Sequence, residues 1–328
     1  MPQGRSRVNH AGGRRTTGAA FWRLPEVAVL VLINDGAGAV AALDDIATTV
    51  HVGLLKRGIE AEVRLVAGGQ ISEAASQFVS QQTRSGENIL VAGGGDGTLS
   101  SAAAVLAETE VALGVLPLGT LNHFAKDLGV PLELEAAMDV IAARRPVLVD
   151  VAEVNGRVFL NNSSIGLYPF FVAERSAEQK RRGAGKLAAI GPALVRTFRA
   201  VSWQLVRISA DSGADQVLTP CVFVGNNFYD AGDFGRRKSL SSRELCVYVV
   251  RQRTWLGLAL LPFKIALGLI DTHRDLELLR PSRIEITSNR RETLVSVDGE
   301  AIRMKMPLHF QTRAAALKVL SFRDPDTK

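Results

Sequence analysis

The first strong pattern in the chain is VAVLVLI (27–33), a short unbroken apolar run that predicts a strand covered on both faces. NDGAGA (34–39) closes it with a turn composition. Helical spacing then runs to about Lys56, AEVRLV (61–66) predicts a second strand, and helix returns to about Gln82. NILVA (88–92) and VALGVLPLG (111–119) predict two more strands, the first leading straight into glycines. Strands alternating with helices across short loops predict parallel β-α-β units in an open, doubly wound sheet. After Asp150 the pattern changes. RVFLNNS, WQLVRISA, CVFVGNN, LCVYVV, RIEITS and TLVSV follow one another between turns, a strand-rich second half.

Three glycine-rich turns, 34–39, 93–98 and 117–120, fall at carboxyl ends of predicted strands, where ligands of open α/β sheets bind. In LVAGGGDGTLSSA (90–102), Gly93, Gly94, Gly95 and Gly97 surround Asp96. A turn of this kind aims free backbone N–H groups outward with a helix dipole behind them, which makes a phosphate cradle. It is not the dinucleotide fingerprint G-x-G-x-x-G, because Ser100 stands where the third glycine is needed. No Walker A sequence occurs either.

Composition narrows the picture only modestly. A chain of 328 residues is long for one compact domain, so two are expected. The net charge of +6 suits an anionic substrate, a nucleotide or an anionic membrane surface, and selects none of them. Cys221 and Cys246 lie in apolar stretches without metal or redox spacing, which predicts buried thiols in a reducing compartment. Residues 1–26 carry Arg5, Arg7, Arg14, Arg15 and Arg23 with no acidic residue before Glu26 and no apolar h-region, so they read as a basic disordered tail rather than a secretory signal. TWLGLALLPFKIALGLI (254–270) is the most apolar stretch, yet at 17 residues it falls short of the ~20 needed to span a bilayer. It predicts a buried or partly exposed helix that could touch a membrane. ERSAEQKRRGAGK (174–186) predicts a solvated helix face, with Lys180, Arg181 and Arg182 available to lipid headgroups. His10, His51, His273 and His309 have no ligand spacing, and no metal is assigned to them.

AGGGDGTL (92–99), GVLPLGTLNHFAKDLGVP (114–131), NNSSIGL (161–167) and VSVDGE (295–300) occur in that order, with NDGAG (34–38) as a worn opening turn. Together they resemble the lipid-kinase family that contains diacylglycerol kinases, sphingosine kinases and related bacterial enzymes, over about Val27 to Phe322. The resemblance implies an α/β nucleotide-binding domain like that of NAD kinases and phosphofructokinases, with an open, mostly parallel sheet, followed by a C-terminal antiparallel β-sandwich. The implied division is 27–150 for the ATP-binding domain, completed by 313–323, and 151–312 for the lipid-substrate domain. ALKVLSF (316–322) is the strand expected to return to the first domain.

The resemblance also implies an activity: transfer of the γ-phosphoryl group of ATP to a hydroxyl of a diacylglycerol-like or long-chain lipid. Phosphoryl transfer asks a protein for positioning and charge neutralisation. Gly94, Gly95, Gly97 and Thr98 are expected to hold ATP phosphates, with Gly119, Thr120 and Asn122 on the other side of the nucleotide. Asn34, Gly36, Ala37 and Gly38 are expected to close over it. The acceptor alcohol must lose a proton, so a carboxylate is needed nearby. Asp96 is one candidate and Asp298–Gly299–Glu300 the other. An extended segment would send Asp298 and Glu300 to one side. The family comparison assigns Glu300 as base, with Asp298 and Asp96 organising Mg-ATP and acceptor.

Three departures stand out. His123 occupies a place where many relatives have Asp, Ser242 and Arg243 stand where Asp-Gly is expected, and Ser100 replaces an Asn. In bacterial relatives the two aspartates serve a structural magnesium between the domains, so here Asp150 would be the sole carboxylate left. A hard divalent cation wants several anionic oxygens, so no structural Mg2+ is expected, with His123 and Arg243 adding positive charge in its place. Mg2+ arriving with ATP remains expected. The chain is read as cytoplasmic and peripheral at the inner membrane face, with ATP, a lipid and the membrane surface as partners, no nucleic acid, and a homodimer left open. Two alternatives remain: an NAD kinase-like or other non-lipid alcohol kinase, and a catalytically inactive nucleotide-binding regulator.

Overall fold

The computed structural model describes residues 28–38, 45–81, 88–170, 172–173, 202–210, 213–229, 237, 239–267, 269–271 and 274–323. The basic tail, the 174–186 segment, His10 and His273 lie outside the described residues.

The first half alternates strand and helix: β1 (Val29–Asn34), α1 (Ile46–Lys56), β2 (Glu62–Val66), α2 (Ile71–Gln81), β3 (Ile89–Gly94), α3 (Asp96–Leu106), β4 (Ala112–Pro117), α4 (His123–Asp127) and α5 (Leu134–Ala142). The second is mostly strand: β5 (Pro146–Val154), β6 (Arg157–Phe159), β7 (Asn162–Gly166), β8 (Gln204–Ala210), β9 (Gly213–Thr219), β10 (Cys221–Asn226), β11 (Leu245–Val250), α6 (Trp255–Ala266), β12 (Leu276–Leu279), β13 (Arg283–Ser288), β14 (Glu292–Val297), β15 (Glu300–Lys305) and β16 (Leu308–Leu320).

β1, β3 and β4 are buried along almost their whole length, as their apolar runs require when helices cover both faces. They pair in parallel in the order β2-β1-β3-β4, so Asn34, Gly94 and Pro117 end side by side at one edge. The chain does not then start a separate sheet. β16 runs 13 residues, its far end parallel to β4 through Val319 and Leu113, its near end antiparallel to β13. β5 follows its other side, with a register shift between Arg313 and Leu317 where Ala315 adopts φ +51°. The parallel sheet thereby continues through β13, β8 and β9 as an antiparallel one. The returning strand was expected over 316–322; it begins at Leu308, because one strand serves both halves.

The second sheet, β12-β11-β10-β7-β14-β15, is antiparallel throughout. Its inward residues Ile165, Val222, Val247 and Val295 meet Val154, Ile284, Ile286 and Phe310 from the first sheet, giving a core distinct from the one under β1–β4. The class is thus the expected one, an α/β half with a mostly parallel sheet followed by an antiparallel sandwich. Strands β9, β12 and β15, absent from the sequence reading, are edge strands. Their half-solvated residues, as in GADQVLT and EAIRMK, carry little of the apolar pattern that marks an inner strand.

Candidate active site

The glycine run is divided between a strand and a helix. Gly93 and Gly94 end β3, Gly95 is the N-cap of α3, and Asp96–Gly97–Thr98 form its first turn. Gly95 offers no side-chain cap; its carbonyl takes the Thr98 and Leu99 amides, and the Asp96 and Gly97 amides stand at the positive end of the helix dipole. Space explains two glycines directly. A Cβ on Gly119 would lie 2.3 Å from the Gly95 Cα, and one on Gly94 would lie 2.4 Å from Thr98 Oγ1. The turns after β3 and β4 therefore touch backbone to backbone. At Gly97 the space stays open, the nearest atom to a Cβ being Glu300 Oε1 at 3.9 Å.

The flanking turns are tied to this loop. Asn34 Nδ2 donates to Thr98 Oγ1 at 2.8 Å, which leaves the Thr98 hydroxyl proton to serve as a donor, and Asn34 Oδ1 accepts from the Gly36 N–H. Ala37 is buried and donates its N–H to the Asn34 carbonyl, while a Cβ on Gly38 would meet Thr120 Oγ1 at 3.6 Å. The 34–38 turn thus approaches the wall made by Gly119 and Thr120. Asn122 sits at φ +50° with its whole amide engaged: Oδ1 accepts from the Gly119 N–H, and Nδ2 donates to the carbonyls of Pro117 and Gly119. It shapes that wall from behind.

The three candidate carboxylates meet here and differ sharply in freedom. Asp96 accepts the first two amides of α4, from His123 at 3.2 Å and Phe124 at 2.9 Å, and Asn161 Nδ2 at 3.4 Å. Asp298 accepts the amides of Leu160, Asn161 and Asn162 at 2.8–3.0 Å and the Ser100 hydroxyl. Burial pushes the Asp298 carboxyl above its ordinary value, against the downward pull of those four donors. Glu300 is the exposed one, paired among the described residues with Arg157 Nη2 at 2.8 Å. The extended segment that would align Asp298 with Glu300 is not formed. Asp298 (φ +45°) and Gly299 (φ +84°) are the two-residue turn between β14 and β15, the conformation an Asp-Gly hairpin favours, and Glu300 opens β15. Both carboxylates nevertheless line one cleft of about 460 Å³ together with Gly97, Ser100 and Arg157.

The departing residues play other parts than a charge substitution. The His123 and Arg243 side chains are exposed; it is their backbone N–H groups that reach carboxylates, Asp96 and Asp150 respectively. Asp150 is buried and also takes the Ala315 amide at 2.8 Å, which pins the bulge of β16. Ser242 donates through its N–H and hydroxyl to Asn227 Oδ1. Among the described residues no three His, Cys, Asp or Glu side chains are grouped to hold a metal ion. The sequence reading missed Asp127, Asn161, Asn226, Tyr229 and Arg237, which join the two halves through buried hydrogen bonds. Asn161 lay within a noted motif; nothing in the spacing of GDFGRRKSL distinguishes Arg237.

α6 leaves Trp255, Leu256, Leu260 and Phe263 exposed, with Leu267 and Leu269 just beyond it. Its other face packs Leu258 and Leu261 on Val250 and Leu276. No helix among the described residues is long and apolar enough to cross a membrane.

An α/β cradle sharing a strand with an antiparallel sandwich is the fold of solved bacterial chains. A diacylglycerol kinase from Bacillus anthracis superposes with TM-score 0.63 at 19% identity, covering 89% of this chain and 96% of its own. A second chain from that organism gives 0.70 at 23%, covering 89% and 94%. Residues 28–154 match the diacylglycerol kinase catalytic domain. A Pseudomonas syringae protein named "Probable lipid kinase YegS-like" is 42% identical over 130 residues, 38% of this chain and 41% of the relative. One of the same name from Cronobacter sakazakii is 30% identical over 182 residues, 52% and 56%. The matched regions thus span about 41–56% of these relatives' length.

Proposed function

We propose that this chain is an ATP-dependent lipid kinase that phosphorylates a hydroxyl of a diacylglycerol-like or long-chain lipid. The observation that carries the reading is the position of Glu300: an exposed carboxylate beside the open flank of Gly97, over the uncapped N-terminus of α3.

The glycine cradle fits a polyphosphate. Side chains are excluded by contact at Gly94 and Gly119, while the amides of Gly95, Asp96 and Gly97 and the Thr98 hydroxyl remain to bind and orient phosphate oxygens. Bound MgATP supplies the phosphoryl group and the metal charge that neutralises it. Gly119 and Thr120 bound the nucleotide, with Asn34, Gly36, Ala37 and Gly38 closing over it and Asn122 holding their wall. Glu300 takes the proton of the acceptor hydroxyl; Arg157 steers its carboxylate until the acceptor arrives. Asp96 and Asp298 act at one remove, by fixing α4 and the 160–162 turn. Metal enters only with ATP; no structural magnesium belongs to this reading. The units are 27–150 with 313–323 and 151–312, supported by the two separate cores. The exposed apolar face of α6 suits contact with a bilayer surface, as a cytoplasmic enzyme peripheral at the membrane would need.

Glu300→Gln tests the base. Single-turnover transfer should fall ~10²–10⁴-fold while ATP affinity stays near wild type, the range general bases contribute. A variant within a few-fold of wild type would remove Glu300 from the role; parallel loss of ATP binding would make it a nucleotide or metal ligand instead.

A further inference from the structure

Between the two halves of the site lies a guanidinium without access to solvent. The Arg237 side chain is 0% exposed and its partner Asp127 4%. Nε donates to Asp127 Oδ2 at 2.7 Å and Nη2 to Asn161 Oδ1 at 3.1 Å. Nη1 donates to the carbonyl oxygens of Leu160 and, at 3.4 Å, Asn226. The Phe124 and Tyr229 rings stand 5.8 and 5.5 Å from its carbon.

Asp127, Leu160 and Asn161 each stand one step from a candidate carboxylate. Asp127 ends α4, whose first two amides grip Asp96. Leu160 and Asn161 supply two of the three amides that grip Asp298. Asn161 is the hub: its Oδ1 accepts from Arg237, its Nδ2 donates to Asp96, its N–H donates to Asp298, and its carbonyl accepts from the Tyr229 hydroxyl and the Asn226 amide. A buried ion pair alone is weak evidence for stability, and an apolar pair often serves as well. A planar fork addressing four separate acceptors is instead a device for geometry, which a lysine point charge cannot reproduce.

We propose that Arg237 is a positioning residue of the transfer site. Its guanidinium orients Asn161, and through Asn161, α4 and the 160–162 turn it sets the spacing of Asp96 and Asp298. The role rests on the kinase reading above, because it is transfer that the spacing serves.

The test compares wild type, Arg237→Lys and Asn161→Asp for thermal midpoint, ATP affinity and single-turnover transfer from ATP to a lipid extract. Asn161→Asp keeps the size and the acceptor facing Arg237, but exchanges the N–H aimed at Asp96 for a charged carboxylate oxygen, whose charge Arg237 faces from the other side. It should keep the ATP affinity of wild type, lower the midpoint less than Arg237→Lys does, and lose at least ~10-fold in transfer, since misplacement by about 1 Å can cost up to ~10²-fold. Arg237→Lys should lose both midpoint and transfer; if it does not fold, Asn161→Asp decides alone. An active wild type beside an Asn161→Asp variant within twofold of it overturns the positioning role. A wild type that transfers nothing overturns the kinase reading and this role together.

Discussion

Asp96 spends its charge on backbone. Both oxygens accept amides at the start of α4, and Asn161 adds a third donor, so the carboxylate caps a helix whose own N-cap residue, Asn122, is occupied elsewhere. Asp96→Asn keeps the volume but leaves one of those donors facing an amide nitrogen. Transfer should fall by ~10²-fold or more through displaced geometry, and stability by about 1–3 kcal/mol for the unpaired donor. Thermal unfolding and kcat on the same preparation check both; a variant with near-normal kcat removes Asp96 from the site. The glycines that make room around Asp96 were legible in the sequence, because strand, glycine turn and helix follow one another with fixed spacing. Its capping role was not, since the amides it holds lie 27 and 28 residues away.

At the scale of elements, apolar rhythm decided what could be read. β1, β3 and β4 are buried on both faces and announce themselves, whereas β15 alternates through half-exposed positions and follows a two-residue turn that the extended reading of Asp298–Gly299–Glu300 passed over. α6 was legible as a helix too short to span a bilayer, but its anchoring was not. Thr254 caps it, accepting from the Gly257 amide, and Lys264 from its last turn pairs with the buried Asp275 at 2.7 Å. Burial pushes Asp275 up, yet Lys264, the Asp271 amide and Gln252 together hold it below the ordinary 3.8. With a depressed folded value, the unfolded chain takes the proton first. The contribution is therefore present above about pH 4 and lost as pH falls through the lowered value. Asp275→Asn should lower stability at pH 7 by about 1 kcal/mol, with the gap to wild type closing as pH drops from about 5 to 2. Unfolding curves across that range check it; a gap independent of pH contradicts the pairing.

The two halves are joined by a shared strand, by apolar packing of Val158, Leu160 and Leu240 into the first core, and by buried polar contacts. β16 belongs to both halves of one sheet, Asp150 pins its bulge, and the Arg237–Asp127 pair ties α4 to the β6–β7 and β10 segments. These long-range partners, separated by 110 and 165 residues, leave no periodic trace, which is why the joint between the halves was the least legible part of the fold. Since that joint is made by amides and a guanidinium, exhaustive chelation should leave the thermal midpoint within about 1–2 °C, the size of the shift that ~1 kcal/mol produces in a chain of this length. A large drop restored by magnesium but not by sodium would show a structural ion in the joint.

The central claim is phosphoryl transfer to a lipid. Wild-type protein incubated with MgATP labelled at the γ-phosphoryl group and an extracted lipid mixture should place the label in an organic-phase product. Label that stays in the aqueous phase, while ATP binds tightly, would contradict it and leave a nucleotide-binding protein without transfer.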